Sequence, residues 1–212
     1  MINVHKMKKL FFIFILISGF LMAQSADQKK ILDDSRSIMV LMEKKDYNGI
    51  LNLTHPAIFE KISKETMVDA FKTMFEGNEE FKIEIGKIDE NAFKASDVFS
   101  GKDNVKYAFV TFPMNMKMTF LKEKFDDEKK KMMIGMMEVQ GMKARFLNDN
   151  TIEMSKESMT VALNDKSTGN VWKYVNYDET NPLYASVIPT EVMKKAKEYY
   201  ADFLIKQKEN AN

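Results

Sequence analysis

His55 is the residue whose side chain could most plainly serve catalysis, and it lies in the segment Leu53-Thr54-His55-Pro56. An imidazole that faces a cavity, within hydrogen-bond reach of a substrate, can act as a general base. In this hypothesis Asp46 or Asp69 orients the ring, and an inward imidazole beside a carboxylate would favour a small hydrolyase or isomerase. In the alternative, the imidazole hydrogen-bonds the backbone around Pro56. The sequence favours the alternative, because the predicted strand faces offer mostly Met, Phe and Val to an interior.

The acidic residues show no spacing that would pair two carboxylates for acid–base chemistry. They occur as sequence neighbours in Asp33-Asp34, Glu79-Glu80 and Asp126-Asp127-Glu128. Neighbours on a strand point to opposite faces, and neighbours on a helix do not face each other. With a single histidine outside the leader, no cysteine and no calcium-loop spacing, the sequence predicts no metal site and no cofactor.

Methionine is the compositional oddity of the chain, with 18 residues, eight of them between Met114 and Met142. Thioethers can bind copper(I), a soft ion, and Met114, Met116 and Met118 share one face of a predicted strand. Apolar residues at strand spacing belong to the core by default, and Met fills irregular gaps well. We therefore expect these three side chains to pack in the core.

A second group of methionines recurs at helical spacing and includes Met133, Met136 and Met137. An exposed methionine stripe suits an adaptable partner or lipid surface, because flexible thioethers repack against varied ligands. These three residues are the candidates for a partner surface, and burial on the domain itself is the alternative.

Three aromatic residues that carry a polar atom are candidates for lining a ligand pocket: Tyr107, Trp172 and Tyr174. Such side chains combine a large apolar surface with one hydrogen-bonding group. They could equally complete the core, and the sequence favours this second interpretation because buried aromatics dominate cores generally.

The first residues follow the order of a secretory signal peptide. Three lysines precede an unbroken apolar run from Leu10 to Leu16, and polar residues begin after Ala23. The apolar run is shorter than the roughly 20 residues of a membrane-spanning helix, so we expect cleavage rather than a retained anchor. The sequence thus predicts a signal peptide at 1–23 and an exported protein, periplasmic or secreted, with no stable membrane anchor.

The charge of the chain argues against nucleic acid as a partner. The chain has 32 basic and 31 acidic residues, and the leader holds three lysines and no acid, which leaves 29 basic and 31 acidic. A nearly neutral domain has no electrostatic reason to bind nucleic acid. An exported domain without cysteine has no disulfides, so its core alone must hold the fold.

Helical spacing of apolar residues predicts three amphipathic helices, at 27–45, 64–76 and 190–206. Ser63 can cap the second of them and Gly77 ends it. A short helix is expected from Tyr47 to Leu53, because Pro56 disfavours a helical residue before it. The residues at 207–212 form a polar tail that we expect to fray.

The clearest strand is predicted at 104–120, where apolar residues alternate with polar ones. One face is expected to be buried, and it carries Ala108, Val110, Phe112, Met114, Met116, Met118 and Phe120. The other face, which includes Thr111, is expected to be wet. Pro113 inside the strand indicates an edge position or a bulge. Further strands are predicted at 81–85, 158–163 and 171–177, with a weaker one at 91–99.

The segment 121–150 is dense in charge, then rich in methionine, and resembles an insertion with a helix at about 124–140. The rest of 24–206 reads as one domain. Helices, then antiparallel strands, then a closing helix predict an α+β fold. We expect the N-terminal helices to pack on the apolar face of one curved, cone-like antiparallel sheet.

Five stretches occur in an order typical of one known family: Asp46-Tyr47, Leu53-Thr54-His55-Pro56, Thr66-Met67-Val68, Gly169-Asn170-Val171-Trp172-Lys173-Tyr174-Val175 and Ile188-Pro189. Together they resemble a bacterial secreted subset of the nuclear-transport-factor-two-like superfamily, which has a cystatin-like cone fold. The chain departs from the family pattern at Ile62-Ser63, where the family usually places two glycines, and in the segment 121–150.

The resemblance implies a helix-backed cone with a cavity inside, and no single function. Relatives include dehydratases, isomerases and ligand-binding domains, so the fold is a poor guide to chemistry. We expect a non-enzymatic binding or interaction domain, either monomeric or a homodimer. It would hold a small apolar molecule in the cone or dock a protein partner through 121–150. The alternative is the small cone-type enzyme with His55 as its general base.

Overall fold

The computed structural model describes residues 26–210. The predicted signal peptide at 1–23 and the last two residues of the predicted tail lie outside the described residues. The helices are α1 (26–43), α2 (Tyr47–Leu53), α3 (Lys64–Glu76), α4 (Asp127–Val139), α5 (Pro182–Val187) and α6 (Thr190–Asn210). The strands are β1 (Phe81–Ile85), β2 (Lys94–Ala95), β3 (Phe99–Ser100), β4 (Lys106–Phe120), β5 (Lys143–Phe146), β6 (Thr151–Asn164) and β7 (Lys173–Asn176). In this range no helix is both long and apolar enough to cross a membrane.

The fold is α+β, as predicted, and its single sheet is built around two long strands. β4 and β6 pair from Lys106 opposite Asn164 to Thr119 opposite Thr151. At one end, which we call the proximal half, β2 and β3 pair with β4, and β7 pairs with β6. At the other end, the distal half, β1 pairs with β4 and β5 pairs with β6. Every pair is antiparallel, and within residues 26–210 the seven strands do not close into a barrel.

Pro113 lies in the middle of a central strand, a position where its missing N–H would normally break a hydrogen-bonded ladder. On the side away from β6, β1 pairs with β4 only as far as Met116, and β2 begins to pair at Thr111. Pro113 falls in the gap between them. The predicted edge position is therefore right for this residue, although the strand as a whole is central.

The proximal half of the sheet is covered on both faces. On one face, Ile31 of α1 packs in a core cluster with Phe112. On the other face, Val192 of α6 packs in a second cluster with Phe109. The prediction of one wet face is wrong here: Thr111 is only 1% exposed, because α6 returns over the face that the sequence pattern assigned to water.

The distal half has one polar and one apolar face, in agreement with the predicted alternation. On the polar face, Glu153 accepts a hydrogen bond from Arg145 at 2.7 Å and lies 4.0 Å from Lys117. On the apolar face, Met118 stands between Ile83 of β1 and Ile152 of β6 in the strand register.

The segment 121–150 contains the predicted helix, in shorter form, and a strand that was not predicted. The Asp126 carboxylate caps α4 by accepting a hydrogen bond from the backbone N–H of Lys129 at 2.9 Å. β5 then pairs with β6, so part of the apparent insertion extends the sheet. The closing helix also differs from prediction, since α6 continues beyond residue 206 to Asn210.

Candidate functional site

His55 lies at the start of the short 3-10 helix Pro56–Glu60 and is only 3% exposed. Its backbone N–H donates to the carbonyl of Tyr174 at 3.0 Å, which ties it to the edge of the sheet. Its Nδ1 accepts a hydrogen bond from the backbone N–H of Ala57 at 3.3 Å. The imidazole therefore bonds the backbone next to Pro56, as the alternative hypothesis describes.

The carboxylate beside His55 is Asp165, in the turn after β6. The Nε2 atom of His55 lies 3.4 Å from the Asp165 carboxylate and 3.4 Å from the hydroxyl of Ser167. Asp46 and Asp69 do not orient the ring: Asp46 caps α2, and Asp69 is an exposed side chain of α3. The structure thus meets part of the criterion for an enzyme, a buried imidazole beside a carboxylate.

Hydrogen bonding decides which ring nitrogen of the neutral His55 carries the proton. Because Nδ1 accepts from the backbone, the neutral ring bears its proton on Nε2, which faces Asp165. Burial lowers the pKa of His55, while the bond and the charge of Asp165 act in the opposite direction. A ring in this tautomer has no free nitrogen to accept the proton of Ser167, whose hydroxyl donates to Asp165 at 2.6 Å. The three side chains form a clamp on the turn and lack the geometry of a nucleophilic triad.

Hydrogen bonds from these neighbours also explain why Asp165 is ionised. Burial raises the pKa of this carboxyl, but hydrogen bonds from Ser167, from the backbone of Thr168 and from His55 outweigh burial and lower it. Asp165 therefore stays ionised and holds the turn between β6 and β7 against the start of the 3-10 helix.

The three pocket candidates are buried side chains that belong to two different core clusters. Trp172 and Tyr174 lie under α1, where Trp172 donates to Asp27 at 3.2 Å and Tyr174 donates to Asp34 at 2.9 Å. Burial, with the nearby charge of Asp34, raises the pKa of Tyr174, so its hydroxyl stays protonated and donates. Tyr107 belongs to the cluster on the opposite face of the sheet.

The methionines of β4 are partly core. Met114 packs against the cluster under α1, while Met116 and Met118 are half-buried in the distal half. Within residues 26–210 no group of three or more His, Cys, Asp or Glu side chains could hold a metal ion.

The partner-surface candidates on α4 divide between two faces of the helix. Met133 and Met137 are half-buried, and Met136 is 51% exposed. The outermost stripe is formed by Met136 together with Met132, 61% exposed, and Val139, 89% exposed. These residues are spaced i, i+4 and i+7, so they lie on one side of the helix.

A different feature of the distal half, an open apolar groove, is the best candidate for a binding site. Its volume is about 640 Å³. The groove runs between α3 and the strands β1 and β4. It is lined by Thr66, Asp69, Ala70, Thr73, Met74, Phe81, Ile83 and Met118.

The position of α3 creates this groove. Phe71 and Phe75 turn the apolar stripe of α3 towards Tyr47, with ring centroids 6.1 and 6.4 Å away. The neighbouring helix face, with Ala70 and Met74, is left to border the groove. Gly77 then ends the helix at a φ of 78°, and a Cβ there would lie 2.2 Å from the carbonyl oxygen of Phe81. Only glycine allows β1 to follow α3 so closely.

A smaller recess of about 200 Å³ lies at the other side of the same helix end. Glu43 and Lys45 are among its lining residues, together with Met39 and Ile85. Its charged side chains make it a poorer site for an apolar ligand than the groove.

Sequence reasoning missed the groove, although each of its walls was predicted. The alternation in β1 and the stripe of α3 were both visible in the sequence. What the sequence lacks is a signal that α3 packs on Tyr47 and leaves Met118 uncovered. The chain matches no protein-family model, no curated protein and no solved structure.

Proposed function

We propose that this chain is an exported, non-enzymatic binding protein that holds a small apolar molecule in the groove beside α3. The observation that carries the proposal is the groove itself, with Met74, Ile83 and Met118 open to a volume of about 640 Å³. Ligand sites are lined mainly by apolar side chains with a few polar groups, and the lining of this groove has that composition.

The lining indicates the chemical class of the ligand. Asp69 is the one charged residue among the lining residues, and Thr66 and Thr73 supply hydroxyls along the same helix. A ligand with an aliphatic or aromatic body and one hydrogen-bonding group fits this lining. The proposal is in keeping with the resemblance to the cone superfamily, which includes ligand-binding domains.

The alternative function, an enzyme with His55 as base, receives less support. The ring is almost completely buried, and its two nitrogens face the Ala57 backbone and Asp165. A general base must reach the proton that it removes from a substrate.

A neutral fluorescent probe tests the proposal. N-phenylnaphthylamine should bind the purified protein with a rise in fluorescence, and a Met74→Gln/Met118→Gln double variant should bind it about tenfold more weakly or worse, because polar side chains then line the groove. Native mass spectrometry of the purified protein should show a retained apolar molecule.

Val171→Gln is the matched control, because Val171 is an exposed apolar residue outside the groove. This variant should bind the probe as the unaltered protein does. The proposal fails if the unaltered protein does not bind the probe, or if the double variant binds it equally well.

A further inference from the structure

The outer face of α4 carries apolar residues at the spacing of a helix–helix seam. Met132 and Val139 are seven positions apart, Met136 lies between them, and all three side chains are more than half exposed. Gly135 lies on the same side of the helix, one turn before Val139. In a heptad written a to g, Met132 and Val139 occupy position a, Gly135 occupies d and Met136 occupies e.

No other part of the described chain covers this face. The four residues that border it are all exposed: Glu128, Lys129, Lys131 and Glu138. Apart from the helix itself, a Cβ on Gly135 would meet no heavy atom within 4 Å. Glycine is a poor helix former, and no packing among residues 26–210 requires one at this position.

We propose that α4 pairs through this face with α4 of a second copy of this chain, antiparallel and about a two-fold axis. In this arrangement position a of one helix packs against position d of the other. Met132 therefore packs against Gly135 of the second copy, and the symmetry repeats the contact. A large side chain meets the position that has none, so the two helices can approach closely. The interface uses the same surface from both copies and closes as a dimer.

Charge selects the antiparallel orientation. Lys131 and Glu138 both occupy position g, and they lie about 10 Å apart along the helix, too far to pair with each other. In an antiparallel pair g faces g, so Lys131 lies opposite Glu138 of the second copy, and the symmetry gives this contact twice. A parallel pair would set Gly135 opposite Gly135, which leaves a gap, and Lys131 opposite Met136.

A lipid surface suits this face less well than a second copy does. Helices that lie on anionic membranes carry mainly basic residues beside their apolar stripe. Here Glu128 and Glu138 border the stripe as closely as Lys129 and Lys131 do. The inference does not rest on the proposed ligand, because the groove is lined by residues of α3, β1 and β4.

Charge exchange tests the interface, measured by sedimentation equilibrium at protein concentrations up to about 1 mM, because one pair of short helices makes a small interface. The unaltered protein should dimerise. Lys131→Glu and Glu138→Lys should each weaken the dimer about fivefold or more, since each variant sets like charges opposite each other. The double variant Lys131→Glu/Glu138→Lys restores opposite charges and should restore the dimer. An equal mixture of the two single variants should form a heterodimer, visible by native mass spectrometry.

Gly135→Gln tests the close approach of the helices separately. Glutamine forms helices better than glycine does, so this variant should unfold at a urea concentration no lower than the unaltered protein. Its dimer should be weakened about tenfold or more, because the new side chain fills the space that Met132 of the second copy occupies.

Lys194→Glu is the matched control, because Lys194 is an exposed lysine of another helix, α6, and undergoes the same change of charge. It should leave the dimer unchanged. Circular dichroism verifies that every variant is folded. A protein that stays monomeric at all concentrations overturns the inference, and so does a monomer that binds phosphatidylglycerol vesicles through this face. A dimer also overturns it if it survives both single reversals or Gly135→Gln, is lost in Lys194→Glu, or is not restored by the double exchange.

Discussion

Two of the buried polar side chains, Asp34 and His55, join parts of the chain that are far apart in sequence. Asp34 of α1 accepts from Tyr174 of β7, and His55 faces Asp165 in the turn that precedes β7. A buried polar group without a partner is costly, so such pairs are kept even where they do no chemistry. We interpret both pairs as structural contacts that hold the N-terminal helical segments against the β6–β7 end of the sheet.

The pH dependence of stability should report the state of His55. Burial lowers its pKa below the ordinary value of 6.5, so the unfolded chain binds more protons than the folded chain below that pH. The contribution of His55 to the free energy of unfolding should therefore be fully present above pH 6.5. It should fall as the pH drops from 6.5 towards the lower pKa of the folded histidine, by at most about 1.4 kcal/mol per pH unit. Urea unfolding at pH values on both sides of 6.5 measures this slope.

His55→Asn is the control for this slope, because an asparagine can still cap the 3-10 helix but does not titrate. The variant should be less stable than the unaltered protein, with a flatter pH dependence between pH 6.5 and the lower pKa of the folded histidine. Equal slopes in the two proteins would contradict the buried, neutral imidazole.

At the scale of elements, α4 carries apolar side chains on more of its surface than β5 can cover. A substitution series separates its two faces. The triple variant Met132→Gln/Met136→Gln/Val139→Gln should change the free energy of unfolding by less than about 1 kcal/mol, because these side chains are already in water. Urea denaturation measures the change.

The double variant Met133→Gln/Met137→Gln is the comparison, since these two side chains of α4 are half-buried. It should lose about 2 kcal/mol or more, because polar groups would replace packed apolar ones. If the triple variant loses as much as the double variant, the outer stripe is packed and is no partner surface.

At the scale of the whole molecule, the two halves of the sheet differ in how fully other elements cover them. The proximal half is covered on both faces and holds most of the fully buried side chains among residues 26–210, including Phe109 and Val161. The distal half has one solvated face, and on its other face the groove remains open. Stability therefore resides mainly at one end, and the proposed binding groove lies at the other.

The prediction of export also concerns the whole chain. Expressed in a bacterial host, the protein should be recovered from the periplasm or the medium with its first residue near Gln24, because the apolar run before Ala23 fits a signal peptidase substrate. N-terminal sequencing of the recovered protein measures this. A cell-associated chain that still begins at Met1 or Met7 would contradict the expected cleavage.

Local signals in the sequence were sufficient to predict several elements correctly. The bounds of α3 follow from Ser63, whose hydroxyl accepts from the N–H of Thr66, and from Gly77 at positive φ. The helix α2 begins after its cap residue, Asp46, and ends at Leu53, three residues before Pro56. Capping and the restriction before proline act within a few residues, so a single sequence contains all of the information.

The sequence by itself thus determined the α+β class, the long alternating strand and most helix bounds. Only the tertiary structure decided that α6 covers Thr111, that Pro113 falls between two short strands, and that α3 leaves a groove above Met118. His55 and Asp165 meet across 110 positions of sequence. The physical reason is range: periodicity and capping are local, whereas the burial of a given face depends on which distant element returns to pack on it.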